Sequence, residues 1–149
     1  MSSRQTGMTL IELMVVIMIL GIIITVGIPS YRSYIIRANR VDATSALLRL
    51  AANQERFYMQ NNTYASGAQL AAALPAGLGI PGTDHGYYNL GIAAAGGGLV
   101  VGYTASATVV VGESQGSDKD CWGYSLTETG LRSGRKKAPP VDNTTVCWK

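Results

Sequence analysis

Two stretches of this chain have the residue types and spacing of reactive sites. Gly112-Glu113-Ser114-Gln115-Gly116 fits the G-x-S-x-G pattern that presents a nucleophilic serine on a strand-to-helix turn. Strand-like sequence precedes it, but no helix-forming sequence opens behind it, and the single histidine, His85, comes before the serine where that arrangement needs it last. It reads as a turn. Gly77-Leu78-Gly79-Ile80-Pro81-Gly82 fits G-x-G-x-x-G, yet it follows no strand and begins no helix, so its glycines serve a loop. A metal is no better supported. His85 has no cysteine or second histidine near it, and Asp118 and Asp120 are too sparse a set for calcium. No enzyme activity, cofactor or metal is expected.

Two constellations remain. Arg132-Ser133-Gly134-Arg135-Lys136-Lys137 is the one dense basic cluster, and Arg132, Arg135, Lys136 and Lys137 could meet DNA, another anionic surface or an acidic neighbour. No aromatic residue interleaves with these charges as in single-strand-binding platforms, which favours a solvated loop. The other constellation is Glu12, set in the most apolar part of the chain. Leu13 to Ile28 holds no charge and a single hydroxyl, and with Met8 to Ile11 ahead of it the stretch approaches the ~20 residues a membrane helix needs. A carboxylate at membrane depth costs roughly 2.5–3.5 kcal/mol, so it requires a cationic partner. No Lys or Arg lies between Thr9 and Tyr31. Cleavage after Gly7 would create one, the α-amino group of Met8, and a neighbouring copy would offer another.

In order along the chain, Gly7, Met8, Thr9, Leu10, Glu12, Gly21 and Pro29 resemble the amino terminus of a type IV pilin precursor. The resemblance implies a short basic leader, residues 1–7, removed by an inner-membrane prepilin peptidase that also methylates the new amine of Met8. The chain departs from the family at Met8, where Phe is usual. The implied function is structural: a pilus subunit anchored in the inner membrane by its helix, its head in the periplasm, and later packed by that helix into the core of an extracellular pilus. Its implied partners are other pilin subunits, the peptidase and the inner-membrane assembly machinery. Glu12 would pair with the methylated amine of Met8 on an adjacent subunit and set register. Arg56-Phe57-Tyr58 after Gln54-Glu55, Tyr88-Asn89-Leu90 and the closing Cys147-Trp148-Lys149 are similar to PilE-type minor pilins, whose pili serve adhesion and twitching motility. The alternatives are a type II secretion pseudopilin and a DNA-uptake pilin that binds DNA through the basic carboxy-terminal loop. An ordinary signal peptide does not account for the ordered motif.

Composition agrees with an exported domain that contains β-structure. Of 149 residues 47% are hydrophobic and only 14% charged, with 18 glycines, which suits turns and a packed sheet better than a disordered tail. The net charge of +3 is too weak to argue for nucleic acid by itself. Cys121 and Cys147 form an even set in a chain marked for export, so they read as one disulfide. Arg32, Arg37 and Arg40 outnumber Arg4 across the apolar run, and a bare positive-inside count would keep the body in the cytoplasm. The leader motif and the disulfide outvote that count.

The elements that must position these residues follow from periodicity. Pro29 removes the donor for the Thr25 carbonyl, and Gly27 weakens the same turn, so a kink or a point of melting is expected there. Tyr31 to about Gln60 continues as an amphipathic helix. Tyr34, Ala38, Val41, Leu48 and Ala52 form a stripe expected to pack on a sheet, with Leu47, Ala51 and Phe57 alongside and Arg37, Arg40, Asn53 and Arg56 on the polar side. Asn61-Asn62-Thr63 ends it, a short helix is conceivable over Ala68 to Leu74, and Pro75 stops that. Alternation predicts strands over Tyr88–Ile92, Leu99–Val109 and Trp122–Leu126, with a short one near Val146. The fold class is α+β: a long amino-terminal helix, its membrane half at 8–28, with its amphipathic half packed on a small antiparallel sheet, and a disulfide-closed carboxy-terminal loop. The head comprises 29–149.

Overall fold

The computed structural model describes residues 7–149. Residues 1–6 of the expected leader, Arg4 among them, lie outside the described residues. Contacts divide the chain into one unit that runs through Ile35 and a second, Ile36–Lys149.

In the first unit, helix α1 (Leu10–Asn61) begins and its apolar side chains from Leu10 to Ile28 are exposed. The run is long and apolar enough to cross a membrane. Helical geometry continues through Pro29. Nearby, the Thr25 hydroxyl donates back to the carbonyls of Gly21 at 3.0 Å and Ile22 at 2.9 Å, and the Ser33 hydroxyl donates to that of Pro29 at 3.1 Å. Such local bonding keeps hydroxyls at home in an apolar helix.

In the second unit, α1 continues from Ile36 and covers a four-stranded antiparallel sheet in simple order: β1 (Tyr88–Ala94), β2 (Tyr103–Val109), β3 (Gly123–Thr127) and β4 (Arg132–Arg135). Alternation along β2 is strict. Tyr103, Ala105, Ala107 and Val109 are buried, while Thr104, Ser106 and Thr108 face outward. Register sets Ala105 opposite Ile92 and Leu126, and Ala107 opposite Leu90 and Tyr124. Two alanines at the middle of the sheet leave room for Leu47, Leu50 and Phe57 of the helix to enter the same core. Gln54, fully buried, closes the helix end: its amide donates to the Ala65 carbonyl at 2.9 Å and its carbonyl accepts the Ala65 N–H at 2.7 Å.

Several sequence expectations change. The stripe expected against the sheet faces the other way: Val41 is 64% exposed, Leu48 46% and Tyr34 63%, and Ala38 and Ala52 are exposed too. The buried face is Asp42, Ala43, Ala46, Leu47, Leu50, Gln54 and Phe57. Arg40 and Asn53, assigned to the polar side, turn inward to Asp118 and to the Leu78 carbonyl. Buried polar groups are tolerable because each meets a partner from a distant segment.

Ala68 to Leu74 forms only a 3-10 turn at Gly67–Gln69. The N–H groups of Leu78, Gly79 and Ile80 take the carbonyls of Gln69, Ala72 and Leu70, which a helix would have needed for itself. A Cβ at Gly77 would strike the Gln69 carbonyl oxygen, so this fold-back requires glycine. Leu99–Gly102 is taken from the start of the second strand by a turn around Gly98, whose φ is +85°. No strand forms near Val146; Asn143 carbonyl bonds wind Thr144–Cys147 into the single-turn helix α2. Strand β4 arises instead from the basic cluster.

Candidate functional site

Gly7 and Met8 precede the first helical turn. Thr9 caps α1: its carbonyl accepts the Leu13 N–H at 3.2 Å and its hydroxyl accepts the Glu12 N–H at 3.3 Å. Thr-x-x-Glu is the helix-start signature, which explains a carboxylate in the first turn independently of any neighbour, because it lies near the positive end of the helix dipole. The sequence contained this signal, and reading Glu12 only as a membrane charge missed it. Among the described residues the Glu12 side chain has no hydrogen-bonded or ionic partner.

The second set of expected residues gathers at the end of the sheet where β3 begins and β4 ends. Cys121 and Cys147 are bonded, their Cα atoms 5.5 Å apart, tying the chain just before β3 to α2. A 3-10 turn, Ser114–Ser117, leads into Asp118, whose carboxylate is the hub. Arg40 of α1 donates to it twice, at 2.8 and 2.9 Å. Gln115 donates at 3.1 Å, and the N–H groups of Asp120 and Cys121 at 3.0 and 3.1 Å. Gln115 also donates to the Ile36 carbonyl at 3.0 Å. Burial opposes the Arg40 charge, but the hydrogen bond and charge of Asp118, helped by Tyr124 and Asp120, outweigh it and hold the guanidinium above its ordinary pKa. Asp118 is therefore a structural anion whose partner is the helix, and Ser114 of the G-x-S-x-G match opens a turn beside it. His85 has a different occupation: its N–H donates to Asp42 at 3.2 Å, its Nδ1 lies 3.2 Å from the same oxygen, and its ring stacks on Tyr87.

Behind the hub, Tyr88 and Tyr124 meet edge to face with centroids 5.6 Å apart. Their hydroxyls and Gln115 Oε1 lie close enough to influence one another, yet none makes a hydrogen bond of good geometry. Burial pushes the Tyr88 phenol up to about 12 and raises Tyr103 and Tyr124 further. All three stay neutral at any physiological pH. Among the described residues no group of three or more His, Cys, Asp and Glu could hold a metal.

The basic cluster is split by the pleat of β4. Arg132 turns toward Trp148, its guanidinium 5.2 Å from the ring, while the Trp148 indole donates to the Ser133 carbonyl at 2.8 Å. Arg135 leaves on the opposite side, across Gly123. Past the strand, Lys136 lies 3.9 Å from Asp120, and Lys137 stands 4.2 Å from the Trp122 ring and donates to the Gly116 carbonyl at 3.3 Å. Aromatic rings absent from the linear cluster are thus supplied by Trp122 and Trp148 from elsewhere. That removes the ground on which the sequence favoured a bare solvated loop, though both cation–ring contacts are internal.

Comparison with known proteins agrees with the resemblance carried by the amino terminus. The family described as "Type IV minor pilin ComP, DNA uptake sequence receptor" matches residues 29–125, and "Prokaryotic N-terminal methylation motif" matches residues 2–28. Fimbrial protein EcpC of Eikenella corrodens is 34% identical over 75% of this chain and 70% of its own. Type IV major pilin protein PilE1 of Neisseria gonorrhoeae is 34% identical over 56% of this chain and 36% of its own. Type II secretion system core protein G of Pectobacterium carotovorum subsp. carotovorum is 37% identical over 48% of this chain and 46% of its own, so the chain spans less than half the length of these last two relatives. With a methylation motif, a long apolar-to-amphipathic helix and a disulfide-closed antiparallel head, the chain belongs to the type IV pilin family.

Proposed function

We propose that this chain is a minor subunit of a type IV pilus that assembles through both halves of α1. A prepilin peptidase cleaves after Gly7 and methylates Met8; the helix anchors the subunit in the inner membrane with the head in the periplasm; the assembly machinery then draws it into an extracellular fibre. Glu12, which has no partner among the described residues, pairs with the Met8 amine of an adjacent subunit. The observation that carries the reading is the exposed stripe Ala38, Val41, Ser45, Leu48 and Ala52, which recurs every three or four residues on the helix face opposite the core. Small residues alternate with larger apolar ones, as a seam between helices requires.

Mass spectrometry of membrane-bound and sheared protein tests this directly. The mature chain is expected to begin at N-methylated Met8 and to retain Leu13 to Ile28; a start beyond Ile28 would sink the proposal. Glu12→Ala and Glu12→Gln should leave insertion and cleavage intact yet cut recovery in sheared fibres, and Val41→Arg with Leu48→Arg should do likewise without lowering the melting temperature. Wild-type recovery of all these variants would refute assembly through α1. Recovery of wild type from membranes but never from sheared fibres would favour a pseudopilus.

A role in DNA uptake is a second property of the same subunit, supported by the description of the matched family as a DNA uptake sequence receptor and by the cations around Trp122 and Trp148. Binding of duplex DNA by the full chain, weakening as salt rises, is the expected signature.

A further inference from the structure

We propose that the solvent face of the sheet carries a pocket for a phosphodiester group of bound DNA, gripped by Arg135; this rests on the DNA-uptake reading above and states where the backbone is held. Arg135 and Ser133 leave β4 on the face opposite Arg132, into a cavity of about 380 Å³ that Ser106, Thr108, Ser125 and Asp142 also line. Register builds its floor: Ser106, Ser125 and Ser133 form one cross-strand row, and Thr108, Gly123 and Arg135 the next. A Cβ at Gly123 would stand 2.7 Å from Arg135 Nε, so the side chain lies across the glycine, within the cavity.

The cations of the cluster are not equivalent. Arg132 and Lys137 rest on tryptophan rings and Lys136 faces Asp120, whereas among the described residues the Arg135 guanidinium has no hydrogen bond, ion pair or ring. Among the described residues the hydroxyls of Ser125 and Ser133 make no hydrogen bond either. A free planar fork beside hydroxyl donors matches the oxygens of a phosphate. Asp142, whose carboxylate accepts the Thr144 hydroxyl at 2.6 Å, also lines the cavity and opposes an anion. A polymer of phosphates suits the site better than an isolated one, because Lys136 and Lys137 follow Arg135 directly in the turn after the strand, whereas Arg132 lies on the other face. Residues 29–125 carry the family match, so β4 and its arginine lie outside it.

Fluorescence anisotropy of a labelled duplex with the full chain in uncharged detergent micelles tests this, with phosphatidylglycerol vesicles as a second probe. Arg135→Ala should weaken duplex binding roughly five- to tenfold whatever the sequence and reduce the salt slope by about one, as loss of a phosphate contact does. Gly123→Ala, which displaces the guanidinium without changing charge, should weaken binding similarly, and Asp142→Asn should tighten it about two- to threefold. The melting temperature of Arg135→Ala should not move, since that side chain is exposed. Duplex binding that survives Arg135→Ala and Gly123→Ala but falls with Lys137→Ala or Arg132→Ala overturns the pocket and spares the DNA reading. A wild type that binds no duplex overturns both, and vesicle binding lost with Arg135→Ala would then make the pocket a lipid headgroup site instead.

Discussion

Replacing Asp118 by alanine should destabilise the head more than any surface substitution. Its side chain is 2% exposed and that of Arg40 11%, so the pair is shielded from water and salt alike. Five donors converge on the carboxylate: two from Arg40, one from Gln115, and the backbone N–H groups of Asp120 and Cys121. Removing one partner of a buried pair typically costs roughly 3–5 kcal/mol, because the other charge is left uncompensated. The losses of the four hydrogen-bonding groups overlap with that figure and do not add to it. Against a domain stability of about 5–15 kcal/mol this is a large share. Asp118→Asn keeps the shape and some bonds, so about 2 kcal/mol is expected. Arg40→Met with Asp118→Leu leaves no buried charge and should be less damaging than Asp118→Ala alone. Urea unfolding of the full chain in uncharged micelles, followed by tryptophan fluorescence under non-reducing conditions, supplies the numbers. An Asp118→Ala protein within about 1 kcal/mol of wild type would show that water reaches the pair and that the reasoning is wrong.

Two further outcomes are expected. Cys121→Ser with Cys147→Ser opens a link spanning 26 residues, worth roughly 3–4 kcal/mol by chain entropy, and should lower the melting temperature markedly and expose the head to proteolysis; an unchanged melting curve would contradict this. At alkaline pH the burial of Tyr88 becomes a liability. Its phenol is raised from 10.0 to about 12, so the folded chain holds this proton more tightly than the unfolded chain. The stability it contributes is fully present below pH 10 and is lost as pH rises toward 12, in a window that Tyr88→Phe should flatten; tyrosinate absorbance and circular dichroism followed together read both events.

What the sequence revealed and what it hid divides by range. Glu12 amid apolar residues, and the alternation of Tyr103, Ala105, Ala107 and Val109, are statements about neighbours in the chain, and both were legible. The face that α1 buries was not. Val41 and Leu48 are as apolar as Leu47 and Leu50, so periodicity offered two stripes and no means of choosing. The choice is made by Arg40, Asp42 and Gln54, polar residues that enter the buried side only because Asp118, His85 and Ala65 meet them there. Asp118 is 78 positions from Arg40, beyond the reach of any local pattern. Strand β4 was hidden for a related reason: Arg-Ser-Gly-Arg has little intrinsic β preference, and pairing with β3, together with a Gly134 that has no Cβ to strike Cys147, makes it a strand. The basic cluster accordingly read as a loop, and its division between two faces could not be seen.

The inverted helix is itself an argument about assembly. Scattered exposed apolar side chains are ordinary, and Val41 or Leu48 alone would mean nothing. A series that keeps helical spacing, with Ala38, Ser45 and Ala52 between them, presents a continuous face on which another helix could lie at the usual 8–10 Å. A head that had buried this stripe in its own core would have left Leu47, Leu50 and Phe57 outside together with Arg40, Asp42 and Gln54, and those three polar groups would have lost Asp118, His85 and Ala65. By turning those three inward and meeting each with a distant partner, the fold closes its core on polar and apolar groups together and leaves the apolar face exposed, as the proposed assembly through α1 requires.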